Sequence, residues 1–317
     1  MEKISFKSES SNYIKGVCYI LISALCFALM AASVRLSGDV PFVQKTFFRN
    51  LIAFVIAFCA LIVQGNKKGF KTLKIPGGGL KFLFLRSICG TLGIFGNFYA
   101  IDHLILSDAS ILNKMSPFFS VIGCFFLLGE SIPLIPMMAI ITAFGGAMLV
   151  VKPSFDFSQN FASFAGLVSG IGAGIAYASI RKLGTLKCNG KVIIAFFSLF
   201  SIMCSIPFML ISYEPMSLYQ TSCLIMAGVF AAGGQFTITA AYFAAPASKI
   251  SIFDYFQVIF AAGLGFLLFG QKADILSIIG YAVIISMAIV NFIYNRKKLS
   301  ASAVQKSEPS EKDHKAD

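Results

Sequence analysis

"GIFGNFYAIDHLILSDASILNKMSPFFSVIGCFFLLGE", residues Gly93 to Glu130, reads as two apolar helical stretches joined by a very short turn. Asn97, Asp102, Asn113, Lys114 and Pro117 stand in it among residues that otherwise suit lipid. The stretch returns 141 positions later as "GQFTITAAYFAAPASKISIFDYFQVIFAAGLGFLLFG", Gly234 to Gly270. Ten of the 37 residues from Gly93 to Gly129 are identical to the residue 141 further on, with no gap: Gly93, Phe95, Ala100, Ser107, Ser110, Ile111, Phe119, Phe125, Leu127 and Gly129. The chain is an internal duplication.

Composition sets the medium in which the two copies fold. Of 317 residues 57% are hydrophobic and only 13% charged, with a mean hydropathy of +0.82; a soluble domain carries about a quarter charged residues. Crossing a hydrocarbon core of about 30 Å takes roughly 20 apolar residues. Ten such runs lie near 14–35, 42–63, 81–102, 106–128, 132–151, 162–182, 191–212, 219–243, 249–270 and 274–294. The expected fold is an all-α integral membrane protein, its ten transmembrane helices arranged as two inverted five-helix repeats, 14–152 and 162–296. Inversion follows from counting, since an odd number of spans makes the second copy enter from the opposite face. Residues 1–13 read as a flexible N-terminal tail, 153–161 as a short polar linker and 297–317 as a disordered C-terminal tail. The first span holds "ALMAAS", but its apolar run is too long for a signal peptide.

A net charge of +12 raises the question of a nucleic-acid partner, and the placement of the charge argues against one. With the N-terminus inside, nineteen Lys and Arg fall on the cytoplasmic side and five on the other: Arg35, Lys45, Arg49, Lys152 and Lys272. By the positive-inside rule both termini are cytoplasmic. Seven of the eight Cys lie within spans, where Cys is a small hydrophobe, and Cys188 is read as facing the cytoplasm. No CxxC spacing supports a metal or redox site. "GTLKCNGKV" at Gly184 misses the Walker spacing by one residue and has Val192 in place of Ser/Thr, so no cofactor is expected.

Polar residues inside spans mark the candidate site, because at that depth they face a cavity or a protein interior rather than lipid. The fourth span places Ser110, Asn113, Lys114 and Pro117 at i, i+3, i+4 and i+7; the ninth answers with Ser251, Asp254, Tyr255 and Val258. The eighth carries Gln235, Thr239 and Tyr242, and the third the strip Gly93, Asn97 and Ala100. These spans should line a path, with Arg49, Asn97, Asn113, Lys114, Gln235, Tyr242, Tyr255 and Gln257 as the substrate-binding set. Asp254, the only acid well inside a span, either takes up and releases a proton or pairs with Arg86 at similar depth. Lys114 holds an anionic substrate group or pairs with Asp102 or Asp108. Tyr242 and Tyr255 offer ring and hydroxyl, or simply pack. Lys45 and Arg49, four apart on one helix face, either snorkel to outer headgroups or form a cationic vestibule for a carboxylate or phosphate. Gly145 and Gly146, and Gly166, Gly170 and Gly174, read as helix-packing positions. Arg181 reads as structural.

The duplicated five-helix unit, with "SDASILNKMSPFFSVIGCFFLLGE" in the fourth span and "FDYFQ" in the ninth, resembles the EamA repeats of the drug/metabolite transporter superfamily over about residues 14–296. The resemblance implies a bacterial inner (plasma) membrane carrier with a central cavity, often an exporter of amino acids or related metabolites. One departure is Gln271 where the first repeat has Glu130. The expected partners are a small-molecule substrate, the lipid bilayer and protons, with a homodimer compatible. Two other function classes stay open: a membrane-embedded lipid-modifying enzyme, and a flippase-type or scaffold subunit. Against the enzyme, the sequence has no HExxH or GxSxG, and only His103 and His314.

Overall fold

The computed structural model describes residues 2–69, 74–104, 106–153, 160–270 and 272–307, and every regular element among them is helical. In chain order these are α1 (Glu2–Leu36), α2 (Phe42–Lys68), α3 (Gly79–His103), α4 (Leu106–Asn113), α5 (Ser116–Leu128), α6 (Leu134–Val151), α7 (Asn160–Thr185), α8 (Gly190–Ile211), α9 (Leu218–Ala244), α10 (Ala247–Ile250), α11 (Phe256–Phe269) and α12 (Ile275–Ser307). A 3-10 turn, Ser251–Tyr255, joins α10 to α11. Ten helical segments are long and apolar enough to cross a membrane; α4 with α5 includes the fourth, and α10 through α11 makes the ninth. The chain is a multi-pass membrane protein. Its exposed Phe126, Leu210 and Leu218 are a liability in water and ordinary against acyl chains.

The duplication is written into the backbone. α3 ends at His103 and α9 at Ala244, α4 begins at Leu106 and α10 at Ala247, α5 ends at Leu128 and α11 at Phe269, α6 begins at Leu134 and α12 at Ile275, each pair 141 residues apart. Leu104 and Ala245 both leave the helix in extended conformation, their N–H groups donating to the carbonyls of Ala100 and Ala241. Gly129 and Gly270 both take the left-handed conformation, at φ +69° and +63°, where a Cβ would be penalised. Packing between the halves is reciprocal. α1 lies on α9 and α3 on α7, so the first span of each half meets the third span of the other; α2 meets α8 and α6 meets α12, like on like. Exchange of this kind is the signature of a two-fold relation.

Small residues let α7 approach its neighbours to backbone distance. A Cβ on Gly93 or Gly96 of α3 would meet the backbone of Ser169, Ala173 or Ala165, and one on Gly170 or Gly174 would meet that of Leu112 or Phe119. Gly166 takes the Leu112 side chain. On α6, Gly146 packs on the Gly280 carbonyl as expected, whereas Gly145 faces open space and is not a packing position.

Both tails differ from expectation. Residues 2–13 are helical, and α1 is held at this end by Tyr13, which is buried and stacks on Phe292 of α12 at 5.7 Å. At the other end α12 runs on to Ser307 through Lys, Leu, Ala and Gln, good helix formers; 308–317 lie outside the described residues. Of the linker, 154–159 lie outside them too. All eight Cys are free, and Cys188 is buried instead of facing the cytoplasm.

Candidate functional site at the breaks of the fourth and ninth spans

Pro117 has no N–H to offer the carbonyl of Asn113 and its ring crowds that turn, which disfavours a continuous helix through this register. α4 stops at Asn113, the chain turns through Lys114 and Met115, and α5 restarts at Ser116 with Pro117 in its first turn. The turn lies against Gly170 of α7. In the ninth span Val258 occupies the place of Pro117, and the chain instead tightens into the 3-10 turn, all five of whose residues are buried. Runs of 3-10 helix this long inside a span are uncommon and often mark hinges.

The two breaks meet. Lys114 Nζ stands 3.6 Å from Asp254 Oδ2 and donates to Gln257 Oε1 at 2.6 Å. The Lys and Asp side chains are 11% and 7% exposed, so the pair is largely withdrawn from solvent. Beside it the Ser120 and Ser251 hydroxyls lie 2.8 Å apart, the Tyr242 hydroxyl lies 3.2 Å from Ser251, and the Tyr242 ring stacks on Tyr177 at 5.3 Å. Asn113 Nδ2 donates to Ser169 Oγ at 3.2 Å. Lys114 with Gln257, Ser120 with Ser251 and Asn113 with Ser169 each bridge the two halves. A buried ion pair contributes little net stability over an apolar filling of the same volume.

This geometry overturns the pairing of Asp254 with Arg86. Arg86 Nη2 donates to Gln235 Oε1 at 2.9 Å and its guanidinium lies 3.9 Å over the Phe197 ring. Counting residues from the helix ends puts Lys114 in the outer half and Asp254 in the inner half. Each lies about two turns into its span, however, so the pair meets near mid-depth and the long Lys side chain closes the gap. Side chains of Asp102 and Asp108, the other partners considered for Lys114, lie outside the described residues. Arg49 does not snorkel: it is buried, 8% exposed. Gln235, Tyr242 and Tyr255 are buried, and the Tyr255 hydroxyl has no partner among the described residues; Asn97 is half-buried.

Arg181 is structural, as read. Its Nε pairs with Glu130 at 2.7 Å and its Nη1 donates to the Tyr242 and Phe243 carbonyls at 3.1 and 3.3 Å, tying the ends of α5, α7 and α9 together. Such last-turn carbonyls otherwise lack partners. Sequence reasoning missed Tyr177, Ser120 and Ser169, and with them a polar face of α8. Ser198, Ser201 and Ser205, at i, i+3 and i+7, form a buried face there, and Asn50 Nδ2 donates to Ser201 at 3.0 Å. That spacing was readable.

Comparison with known proteins gives this geometry its class. Residues 14–152 match the EamA-like transporter family. The pseudopaline exporter CntI of Pseudomonas aeruginosa (strain UCBPP-PA14) is 29% identical, over 86% of this chain and 94% of that protein. Human solute carrier family 35 member G1 is 29% identical over 78% and 70%, and an uncharacterized transporter of Helicobacter pylori (strain ATCC 700392 / 26695) 25% over 87% and 93%. One crystal structure, 15% identical, superposes with a TM-score of 0.77 over 89% of this chain and 98% of the other, which shows the fold. The protein is a membrane transporter. Its first half carries the EamA-like transporter match, and the relatives that span most of its length are named as transporters or exporters.

Proposed function

We propose that the protein is a secondary active exporter of a small zwitterionic metabolite of amino-acid type, working by alternating access in a bacterial inner membrane with both termini cytoplasmic. The carrying observation is the Lys114–Asp254–Gln257 cluster, set where the breaks of the two repeats meet. Inverted repeats that share a midplane site can rock between two near-mirror states around it. A substrate carboxylate competes with Asp254 for Lys114, and a substrate ammonium competes with Lys114 for Asp254. Separation of the pair by substrate releases the contact that ties the halves. When the substrate leaves, Asp254 either re-pairs with Lys114 or takes a proton, which gives a route to proton coupling. Export is favoured by the name of the Pseudomonas aeruginosa relative. The family likeness weighs against the lipid-modifying enzyme.

Reconstituted vesicles loaded with labelled L-amino acids provide the test. Wild type is expected to release solute without ATP and faster with an opposing proton gradient. Asp254→Asn should retain the fold and lose the response to the gradient, and Lys114→Met should slow flux by at least about tenfold. Flux with the same pH response in Asp254→Asn removes the coupling role; full flux in Lys114→Met removes the site.

A further inference from the structure

Two more cations are buried near this centre, and among the described residues neither has a carboxylate to answer it. Arg49 of α2 is 8% exposed and makes neither a hydrogen bond nor an ion pair there, and its Nε is buried without a partner. Arg86 of α3 is 3% exposed; beyond its bond to Gln235 and its contact with Phe197, its Nε is likewise unpartnered. The two guanidinium groups lie within electrostatic range of each other and of the Tyr177 hydroxyl, and that hydroxyl lies within range of Asp254. The Tyr177 ring stacks on Tyr242 at 5.3 Å, and the Tyr242 hydroxyl lies 3.2 Å from Ser251 in the turn that carries Asp254.

Burying one unpaired guanidinium is costly, and burying two that repel is more so. Sequence nevertheless makes room for them. Gly90, one turn beyond Arg86, leaves open the space that Arg86 Nη1 occupies, and a Cβ there would overlap that nitrogen and come within 2.9 Å of the Phe197 ring. On α2 the Thr46 hydroxyl, three residues before Arg49, is also buried without a partner. Donors held ready, with positive charge and no anion, describe a site built for an anion brought from outside. A guanidinium presents its N–H groups as a planar fork that takes a carboxylate bidentately.

We infer that Arg49 and Arg86 form a carboxylate subsite, and that the transported solute is an acid-rich amino compound, its amine on Asp254 and its further carboxylate or carboxylates on the two arginines. The inference rests on the transport of a zwitterion through the same centre. It adds the charge of that solute: among the described residues Lys114, Arg49 and Arg86 oppose Asp254 alone, so a solute with more carboxylates than amines balances the site.

Thermal melting and equilibrium binding of the purified full-length protein in detergent, with L-glutamate, L-glutamine and citrate as probes, test it. Glutamate is expected to bind at least about tenfold more tightly than glutamine, and citrate to stabilise as well. Arg49→Gln should lose the preference for glutamate while the unliganded protein melts no lower, because among the described residues Arg49 has no partner to lose. Arg86→Gln should lose the preference also, and Gly90→Ala should weaken it by displacing the guanidinium. Equal binding of glutamate and glutamine overturns the subsite, as does the absence of a shift with all three probes. Normal glutamate binding by Arg49→Gln overturns it too. Vesicle flux without carboxylate preference leaves the transport proposal standing and removes this one; carboxylate binding without flux does the reverse.

Discussion

The fourth and ninth spans are one segment met twice, and they reach the same shape by different means. Both break within their first ten residues, both end on a left-handed glycine, and both are followed by a helix that starts at the same register. In the fourth span the break has a covalent cause, Pro117. The ninth has Val258 there and breaks through the 3-10 turn, buried against Ser120 and Tyr242. A shape that survives loss of its proline is held by its surroundings. The side chains have diverged in the opposite sense: Asn113 and Lys114 stand where the other copy has Asp254 and Tyr255. Two unchanged copies would set like charges face to face at the centre, whereas the diverged copies set Lys against Asp.

The largest expected effect tests that complementarity. Lys114→Met leaves Asp254 buried and unpaired, which should cost about 3–5 kcal/mol, read as a lowered melting temperature in detergent. Lys114→Met combined with Asp254→Asn should regain most of the loss while flux stays as slow as in Lys114→Met alone. A double variant no more stable than the single one would show that the charges do not depend on each other.

A smaller effect separates the two seams between the halves. Gly96 and Thr237 are repeat equivalents, yet a Cβ on Gly96 would lie 2.5 Å from the Ala165 carbonyl oxygen, while Thr237 sits comfortably and returns its hydroxyl to the Gly233 carbonyl at 2.7 Å. The α3–α7 seam is closed backbone to backbone. In the α1–α9 seam, glycines of α9 such as Gly234 receive side chains, here the Phe27 ring. Gly96→Ala should therefore cost about 1–3 kcal/mol by overpacking against backbone that cannot yield, and Thr237→Ala within about 0.5 kcal/mol of zero. Equal losses would erase the distinction.

What was legible in the sequence follows from which interactions are local. Lipid dictates the length and apolarity of every span, so ten spans and a duplication could be read directly, and Pro117 announces its own break. The 3-10 turn has no such marker, because Ser251–Tyr255 differs from ordinary helix only through what surrounds it. Partner choice was not legible either. Arg86 and Lys114 are equally reasonable partners for Asp254 until helix rotations are known, and Gly90 gains meaning only once the Arg86 guanidinium is seen above it. Arg49 reads either as a headgroup ligand or as part of a cationic vestibule, because its position in the chain gives depth but not direction.

The smallest effect lies at the helix starts that follow the two breaks. α6 begins after Pro133, which offers no side-chain cap, and α12 begins after its repeat equivalent Asp274. Asp274 accepts from the Ser277 N–H at 3.1 Å and hydroxyl at 2.7 Å, and pairs with Lys152 at 2.5 Å. Its carboxyl is held well below the ordinary carboxylate range, first by the hydrogen bond from Lys152 and then by those from Ser277. A carboxyl lowered in the folded state contributes stability that is present above its unfolded value, about 4, and is lost as pH falls through the folded one. The pair is half exposed, so screening keeps the contribution small. Asp274→Asn keeps a capping acceptor and removes only the charge. Its melting temperature should lie slightly below wild type at neutral pH, with the gap closing only below about pH 4. A gap unchanged down to about pH 2 would assign the effect to packing at this helix start, and the two halves would then differ here in shape and not in charge.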